Sequence, residues 1–312
     1  MPKKSKLTGA RSPVSRAVNS RLVALLSELA RGEGFIPSRL PGVKFMRSTE
    51  HIPRTPVVYD QSIVIIAQGR KTGHLGGQTF IYDANNYLVL ATPMPFECET
   101  EGTTEEPMLG VSVRVTPGVV AELLMTMESS PSTHDVRPQA VQAAPLDKTL
   151  SNATVRLLEC LRSENDARIL GPQIVREITY RVLLGKLGGN LRALAAPQSH
   201  FGQISRALRR IHADYARTLD IASLAREAGM SSSTFHAHFK AVTSSSPLQY
   251  LKTVRLHKAQ MLMVQEGANA SSAAVRVGYE SASQFSREFK RLFGGGPAAV
   301  AGQLRKTLTR LA

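Results

Sequence analysis

The sequence predicts an α+β protein of two domains, and three observations support this fold class. Short runs rich in β-branched and aromatic residues alternate with turn residues between about Val43 and Val115. The apolar period becomes helical from Pro117 to Leu194, and a helical pattern near the C-terminus is written twice. At 312 residues the chain has room for about two domains of ordinary size, each able to bury a core.

The N-terminal part begins with a basic stretch, residues 1–13, which we expect to be disordered, followed by a helix over 14–31. The β-rich runs are VKFMR, PVVYD, SIVIIAQGR, TGHLGGQTFIYD, NYLVLAT, FECET and MLGVSVRV. Turn residues separate them: Gly76 and Gly77, Asn85 and Asn86, Pro93 and Pro95. Several short strands at this spacing predict a sandwich or a barrel.

Three amphipathic segments follow: PGVVAELLMTM, LSNATVRLLECLRS and GPQIVREITYRVLLGKL. Pro172 is placed as a first-turn residue of its helix. We interpret the stretch GGNLRALAAP, residues 188–197, as a linker between domains. A partly helical conformation of this linker is left open.

The repeat is the most informative feature of the chain. The first copy contains Ile221, Leu224, Ala225, Ala228, Gly229, Phe235, Phe239, Val242 and Pro247; the second contains Ala270, Ala273, Ala274, Val277, Gly278, Phe285, Phe289, Leu292 and Pro297. Each copy has apolar residues spaced along one helix face, then a glycine suited to a helix C-cap, then a serine (Ser231 or Ser281) suited to an N-cap. Two helices joined by such a turn predict a helix-turn-helix, whose second helix enters the DNA major groove.

Charge is concentrated where the repeats lie. The chain has a formal net charge of +15. From His200 onward it contains sixteen lysines and arginines and six acidic residues, a net charge of +10. A basic surface of this kind favours a polyanionic partner, and its binding to phosphates should weaken steeply with salt. A protein that binds DNA through charge alone is an alternative that composition leaves open.

Residues from about 200 to 300 resemble the double helix-turn-helix domain of AraC/XylS-type bacterial transcription regulators. The matching segments are LAREAGMSSSTFHAHFKAVTSSSPLQY (224–250), RLHKAQMLM (255–263) and ASSAAVRVGYESASQFSREFKRLFGGGP (270–297). Ser244 stands where the family usually has glycine, and Pro297 is followed by Ala298, Ala299 and Val300 where an aromatic residue is common. These departures predict a slightly looser end of the second repeat, with the fold retained.

The segments LPGVKFMRS, SIVIIAQGRK, YLVLATPMPFECE and LGVSVRVTPGVVAELL resemble the N-terminal effector domain of one subgroup of these regulators. The resemblance implies a cupin-like β-barrel over about 43–116 and helices over about 117–190, together an effector-binding and dimerisation domain over 14–190. It also implies a DNA-binding domain over 200–304, with helix-turn-helix motifs at about 221–243 and 270–293. A homodimer is expected.

The predicted recognition helices run over about 232–243 and 282–293, and the resemblance implies which of their residues contact DNA. The base-contacting residues would be Ser233, His236, Ala237, Ala282, Ser283, Ser286 and Arg287; the phosphate-contacting residues would be Lys240, Lys290 and Arg291. Arg287 can form a bidentate contact with guanine, although a phosphate contact is the alternative, and His236 could reach a base edge or a phosphate. Ala237 can touch a thymine methyl group but cannot hydrogen-bond to a base.

The helix between the repeats, about 247–265, would hold the two recognition helices about one DNA turn apart, near 34 Å, on one face of the duplex. Its expected buried face consists of Leu251, Val254, Ala259 and Leu262.

A metal-dependent cupin enzyme with an accessory DNA-binding domain is the main rival. Such a site needs an HxH pair on one strand, but His51 and His74 are isolated and His134 lies beyond the β-rich region. The pair His236 and His238 lies on a predicted helix, where residues two apart point to different sides. We therefore expect no catalytic residues, no metal and no cofactor.

The two cysteines, Cys98 and Cys160, show neither a disulfide framework nor metal-ligand spacing. A sensing role for Cys98 is conceivable, but Glu97 and Glu99 would disfavour its thiolate, so an ordinary, partly buried cysteine is the simpler interpretation. With no secretory signal and no spanning segment in the sequence, we expect a cytoplasmic, nucleoid-associated protein. The expected partners are promoter DNA, a small effector of unassigned identity and RNA polymerase, with activation rather than repression as the outcome.

Overall fold

A computed structural model describes residues 13–75, 78–92, 94–127, 140–196 and 198–310. The basic stretch before Pro13, the turn residues Gly76, Gly77 and Pro93, and His134 lie outside the described residues.

The described strands are β1 (Gly34–Pro37), β2 (Val43–Ser48), β3 (Ile52–Tyr59), β4 (Ser62–Gln68), β5 (Arg70–Leu75), β6 (Gln78–Asp83), β7 (Asn86–Leu90), β8 (Met94–Glu101), β9 (Met108–Arg114) and β10 (Val141–Pro145). The described helices are α1 (Pro13–Leu29), α2 (Pro117–Thr126), α3 (Lys148–Cys160), α4 (Glu164–Ile169), α5 (Gly171–Leu184), α6 (Gly188–Ala195), α7 (His200–Asp214), α8 (Ile221–Glu227), α9 (Ser232–Thr243), α10 (Pro247–Gln265), α11 (Ala270–Arg276), α12 (Ala282–Phe293) and α13 (Pro297–Arg310).

The strands form two antiparallel sheets. The larger sheet has the order β1-β2-β9-β4-β7-β10, and the smaller sheet has the order β3-β8-β5-β6. Strand β6 of the smaller sheet contacts β4, β7 and β10 of the larger one. The predicted α+β class is confirmed, but the described strands do not close the cupin-like barrel with one continuous hydrogen-bonded ladder. The larger sheet also includes β1 and β10, which lie outside the region of about 43–116 expected for the barrel.

Strand β4 shows why the centre of the larger sheet is so apolar. Residues Ile63 to Ala67 are all buried, because β4 contacts strand β6 of the smaller sheet and also helix α1. On α1 the residues Leu22, Leu25 and Leu26 are spaced for one helix face and are about 1% exposed. Helix α3 in turn contacts both α1 and α5, so these three helices pack together beside the larger sheet.

The stretch interpreted as a linker is a packed helix. Helix α6 buries Leu191 and Leu194 and contacts both α2 and α7. One hydrophobic cluster therefore continues from the sheets through α7, α8 and α9 into the first half of α10, up to Val254. A second cluster begins at Leu256 and contains the core of α11, α12 and α13. The first helix-turn-helix thus shares its core with the N-terminal region, whereas the second has a core cluster of its own.

Candidate nucleic-acid interface

Both predicted glycine turns are built in the same way. Gly229 has a φ of 68° and Gly278 a φ of 84°, the left-handed conformation that glycine adopts without steric penalty. The residue after each glycine donates its backbone N–H back to the preceding helix, Met230 to Ala225 O at 2.9 Å and Tyr279 to Ala274 O at 3.0 Å. This six-to-one bond closes a Schellman C-cap, so each turn has a defined geometry.

The second helix of each motif begins at the predicted serine cap. Ser231 Oγ accepts a hydrogen bond from the Thr234 backbone N–H at 3.3 Å, and Ser281 Oγ accepts one from the Gln284 N–H at 3.2 Å. Helices α9 and α12 have the bounds expected of the recognition helices.

The two recognition helices also share their buried aromatic pairs. The ring centroids of Phe235 and Phe239 lie 5.5 Å apart, and so do those of Phe285 and Phe289. All four rings are fully buried. The matching pairs fix which face of each recognition helix is turned outward.

Helix α10 connects the two motifs and contacts α9, α11, α12 and α13. Of its expected buried face, Leu251, Val254 and Ala259 are buried, and Leu262 is half-buried. The helix is buried on more sides than the periodicity indicates, and its further buried residues are Pro247, Tyr250, Leu256, His257, Gln260, Met263 and Val264. The reason is that it packs against both core clusters.

Glu288 on the inner side of α12 anchors that helix to its neighbours. Its carboxylate accepts hydrogen bonds from Lys252 Nζ at 2.7 Å and from the Tyr279 hydroxyl at 2.8 Å, and Gln284 Nε2 donates to it at 3.2 Å. Burial alone would raise the pKa of Glu288, but these donors outweigh it and lower the pKa. The sequence patterns did not identify this cluster, since Lys252 and Glu288 are 36 positions apart.

The outer face of α9 presents the predicted residues. Ser233, His236, Ala237 and Lys240 are exposed, and the Ser233 hydroxyl lies 3.1 Å from that of the cap residue Ser231. His238 is turned inward, and its ring lies 3.9 Å from the ring of His200 on α7. Desolvation, followed by the nearby His200, lowers the pKa of His238. The two histidines of the HxH pair therefore lie in different surroundings, as helix geometry predicts.

The outer face of α12 corresponds to that of α9 and carries more charge. Ala282, Ser283, Arg287, Lys290 and Arg291 are exposed, and Ser286 is half-buried. The Ser283 hydroxyl lies 2.9 Å from that of Ser281, repeating the arrangement in α9.

Several basic residues around the recognition helices are paired within the protein, but the side chains of four on their outer faces are not. Arg276 pairs with Glu266 at 2.7 Å, and Arg210 pairs with Asp214 at 2.9 Å. In contrast, no hydrogen bond or ion pair with any part of the chain that the structure describes is made by the side chains of Lys240, Arg287, Lys290 and Arg291. Unpaired positive charge thus lies on the faces that the sequence assigns to DNA.

The N-terminal region contacts the first recognition helix directly. The backbone N–H of Ala140, just before β10, donates to the carbonyl oxygen of Val242 at the end of α9, at 3.3 Å. No sequence pattern indicates this bond, because Ala140 belongs to no recognisable motif.

His51 and Cys98 of the N-terminal region each lie against another side chain of that region. His51 Nε2 lies 2.9 Å from Glu99 Oε1, and Cys98 is 1% exposed with its Sγ 3.2 Å from the Tyr82 hydroxyl. Cys98 is thus more deeply buried than expected. Within the described ranges no group of three histidine, cysteine or acidic side chains could hold a metal ion. Nor does any described helix combine the length and apolar character needed to cross a membrane.

Two sequence models of known families match the chain. One, AraC-type transcriptional regulator N-terminus, matches residues 39–190, and the other, a helix-turn-helix domain, matches residues 224–303. A putative AraC-like transcription regulator from Streptomyces lividans is 38% identical over 111 residues, which are 36% of this chain and 35% of that protein. The regulator AlkR of Acinetobacter baylyi is 37% identical over 95 residues, 30% of this chain and 31% of that protein. The chain therefore spans about a third of the length of these curated relatives.

The whole fold also has a solved counterpart. The structure of apo ToxT from Vibrio cholerae covers 87% of this chain and 98% of its own, with a TM-score of 0.56 at 12% identity. The shared architecture combines an N-terminal β-sheet region with a C-terminal helical one. With both halves matched by the corresponding family models and the duplicated motif built as described, the chain belongs to the family of AraC-type transcription regulators.

Proposed function

We propose that this protein is a sequence-specific DNA-binding transcription regulator, an activator controlled by a small effector, and not an enzyme. The observation that carries the proposal is the duplication of one geometry. Each motif has the same glycine turn, serine cap and buried phenylalanine pair, and presents the same outer face. Two recognition helices on one connecting helix suit two consecutive major grooves on one side of a duplex.

Base contacts are assigned to the outward residues near the start and middle of each recognition helix: Ser233, His236 and Ala237 on α9, and Ala282, Ser283, Ser286 and Arg287 on α12. Lys240, Lys290 and Arg291 lie further along these helices and would contact phosphates. Arg287 is the chief specificity residue, because its free guanidinium can make a bidentate contact with guanine O6 and N7.

The N-terminal region would control these helices through its contacts with them. The two sheets and the first motif share one core, and Ala140 is hydrogen-bonded to the end of α9. An effector that binds one arrangement of these elements better than another would shift the population presented to the promoter. A homodimer that binds promoter DNA and recruits RNA polymerase completes the proposal.

Selection of operator sites from random duplexes, followed by binding measurements with two variants, tests the proposal. Arg287→Ala should lose about 1–3 kcal/mol, roughly 5- to 150-fold, on the selected operator, and much less on an operator whose contacted guanine is replaced. Lys290→Ala is the matched control. It should weaken binding to all sequences similarly and reduce the salt dependence by about one counterion.

Two outcomes would count against these assignments. Equal losses for Arg287→Ala on every sequence would make Arg287 a phosphate contact. Failure to select any sequence at physiological salt would favour binding through charge alone, and the regulatory proposal would be withdrawn.

A further inference from the structure

A crevice of about 490 Å³ lies between the smaller sheet and the second helix-turn-helix. Its volume is within the range of small-molecule sites in proteins. On the side of the sheet it is lined by Pro53, Arg54, Thr55 and Glu97; on the helical side by Gln260, Leu292, Phe293, Val300, Gln303 and Leu304. We propose that this crevice binds an uncharged, amphipathic small molecule with a hydrogen-bond donor, and that this molecule is the effector.

The helical wall supplies the apolar surface that such a ligand needs. Leu292 and Phe293 are the last two residues of α12, and Val300 and Leu304 lie on α13. These side chains belong to the margin of the second core cluster, where they are only partly buried. An apolar ligand body would remove them further from water, which favours binding.

Gln260 supplies the polar anchor. Its side chain is 2% exposed, yet its Oε1 has no hydrogen-bond partner among the described residues. A buried acceptor left without a donor is unfavourable, and most such groups in proteins are satisfied. A hydroxyl or N–H group on a bound molecule would satisfy Gln260 and orient the ligand.

The charges at the crevice favour an uncharged ligand. Arg54 and Glu97, on neighbouring strands β3 and β8, are hydrogen-bonded and ion-paired with each other. A charged ligand would have to compete with this pair or enter without a counterion. His257, one turn before Gln260 on α10, packs against Phe293 with ring centroids 5.4 Å apart. Burial lowers the pKa of His257 to about 3, so its ring is neutral at physiological pH.

The position of the crevice suits a regulator, and in this respect the inference rests on the proposed function. The first motif is already joined to the N-terminal region by a continuous core. The second has its own cluster, and the crevice lies where the end of its recognition helix faces the sheet. A ligand bound there would hold the second recognition helix in a fixed position relative to the first.

The test uses the full chain and the fluorescent probe N-phenyl-1-naphthylamine, which is uncharged, apolar and carries one N–H. Its sulfonated analogue, 1-anilinonaphthalene-8-sulfonate, tests the preference for an uncharged ligand. We expect saturable binding of one uncharged probe per chain, and binding of the analogue weaker by about tenfold or more, since desolvating an unpaired charge is unfavourable.

Three variants locate the probe. Val300→Trp fills the crevice and should weaken binding by about tenfold or more, since the ligand loses its contact surface. Gln260→Leu should weaken it by about 3- to 10-fold through loss of one hydrogen bond. Val275→Trp, a matched change at a residue of α11 that is 71% exposed, should leave binding unchanged.

The inference is overturned if the wild-type protein shows no saturable binding, if the sulfonate binds as tightly, or if neither crevice variant weakens binding. Gln260→Leu replaces a side chain whose buried Oε1 has no partner with an apolar one and should fold, so it decides the question if Val300→Trp does not fold. Operator binding without probe is measured for every protein. Absent probe binding with intact operator binding rejects the crevice alone, whereas absent specific operator binding rejects the proposed function.

Discussion

Replacing the turn glycine with alanine should destabilise the second helix-turn-helix more than the first. Both Gly229 and Gly278 have positive φ, where a residue with a Cβ is penalised by about 1–2 kcal/mol. The lower entropy of alanine in the unfolded chain offsets about 0.4–1 kcal/mol of this. The backbone conformation alone thus predicts a net loss of about 1 kcal/mol at either position.

The surroundings of the two glycines differ sharply. Among the described residues, a Cβ on Gly229 would meet only Gln203 Nε2, at 3.7 Å, which is ordinary contact. A Cβ on Gly278 would lie 2.4 Å from the carbonyl oxygen of Ala216 and 3.1 Å from Arg255 Nη2. Because the oxygen belongs to the backbone, the turn or the loop after α7 must shift, and overpacking of this kind adds about 1–3 kcal/mol. Gly278→Ala should therefore lose about 2–4 kcal/mol in total.

Urea denaturation followed by far-UV circular dichroism measures both losses, and operator binding shows whether the shift reaches α12. Gly278→Ala should lower the unfolding midpoint clearly more than Gly229→Ala and weaken operator binding more. Equal losses of stability for the two variants would refute the argument from the close approach of Ala216.

Three further predictions follow from local geometry. Among the described residues, Ser244 is the one non-glycine residue with positive φ, and it ends α9 at the cap position that Gly294 occupies after α12. Ser244→Gly should therefore stabilise the protein by about 1 kcal/mol, measured by urea titration. Destabilisation would contradict this prediction. The hydrogen bonds to Glu288 lower its folded-state pKa, so the stability they contribute is present above the unfolded carboxyl pKa of about 4.3 and is lost as pH falls through the folded value. Glu288→Gln should therefore reduce the loss of stability at acidic pH. An unchanged loss at acidic pH would reject the role of the Glu288 carboxylate. Burial holds the His257 ring neutral with a pKa of about 3, so as pH falls below about 6.5 the unfolded chain binds a proton that the folded chain does not, and the free energy of unfolding falls by up to about 1.4 kcal/mol per pH unit. His257→Phe should remove that slope, measured as urea midpoints between pH 4 and 7. A slope that persists in the variant would show that other groups cause it.

The features that the sequence predicted well are determined locally. The glycine turns, serine caps and phenylalanine pairs depend on residues within one helix or turn, so spacing alone gave the bounds of α9, α10 and α12. The same holds for the β-rich region, whose runs correspond to β2 through β9.

The features that it missed depend on distant partners. Strand β10 (VQAAP) lacks a clear alternating pattern and exists because it pairs with β7, from Val141 opposite Leu90 to Pro145 opposite Asn86. Periodicity does not specify which strands pair, so it could not distinguish two sheets from a closed barrel. The same reason hid the contact between the rings of His238 and His200, and the burial of helix α6, which depends on α2 and α7.

Methylation protection of guanines across a selected operator tests most directly whether two recognition helices read consecutive major grooves. Protein bound at physiological salt should protect guanine N7 atoms in two clusters, with centres about 10–10.5 base pairs apart on one face of the duplex. Arg287→Ala should remove protection from one cluster and leave the other. A single protected cluster, or protection spread evenly along the DNA, would contradict the account.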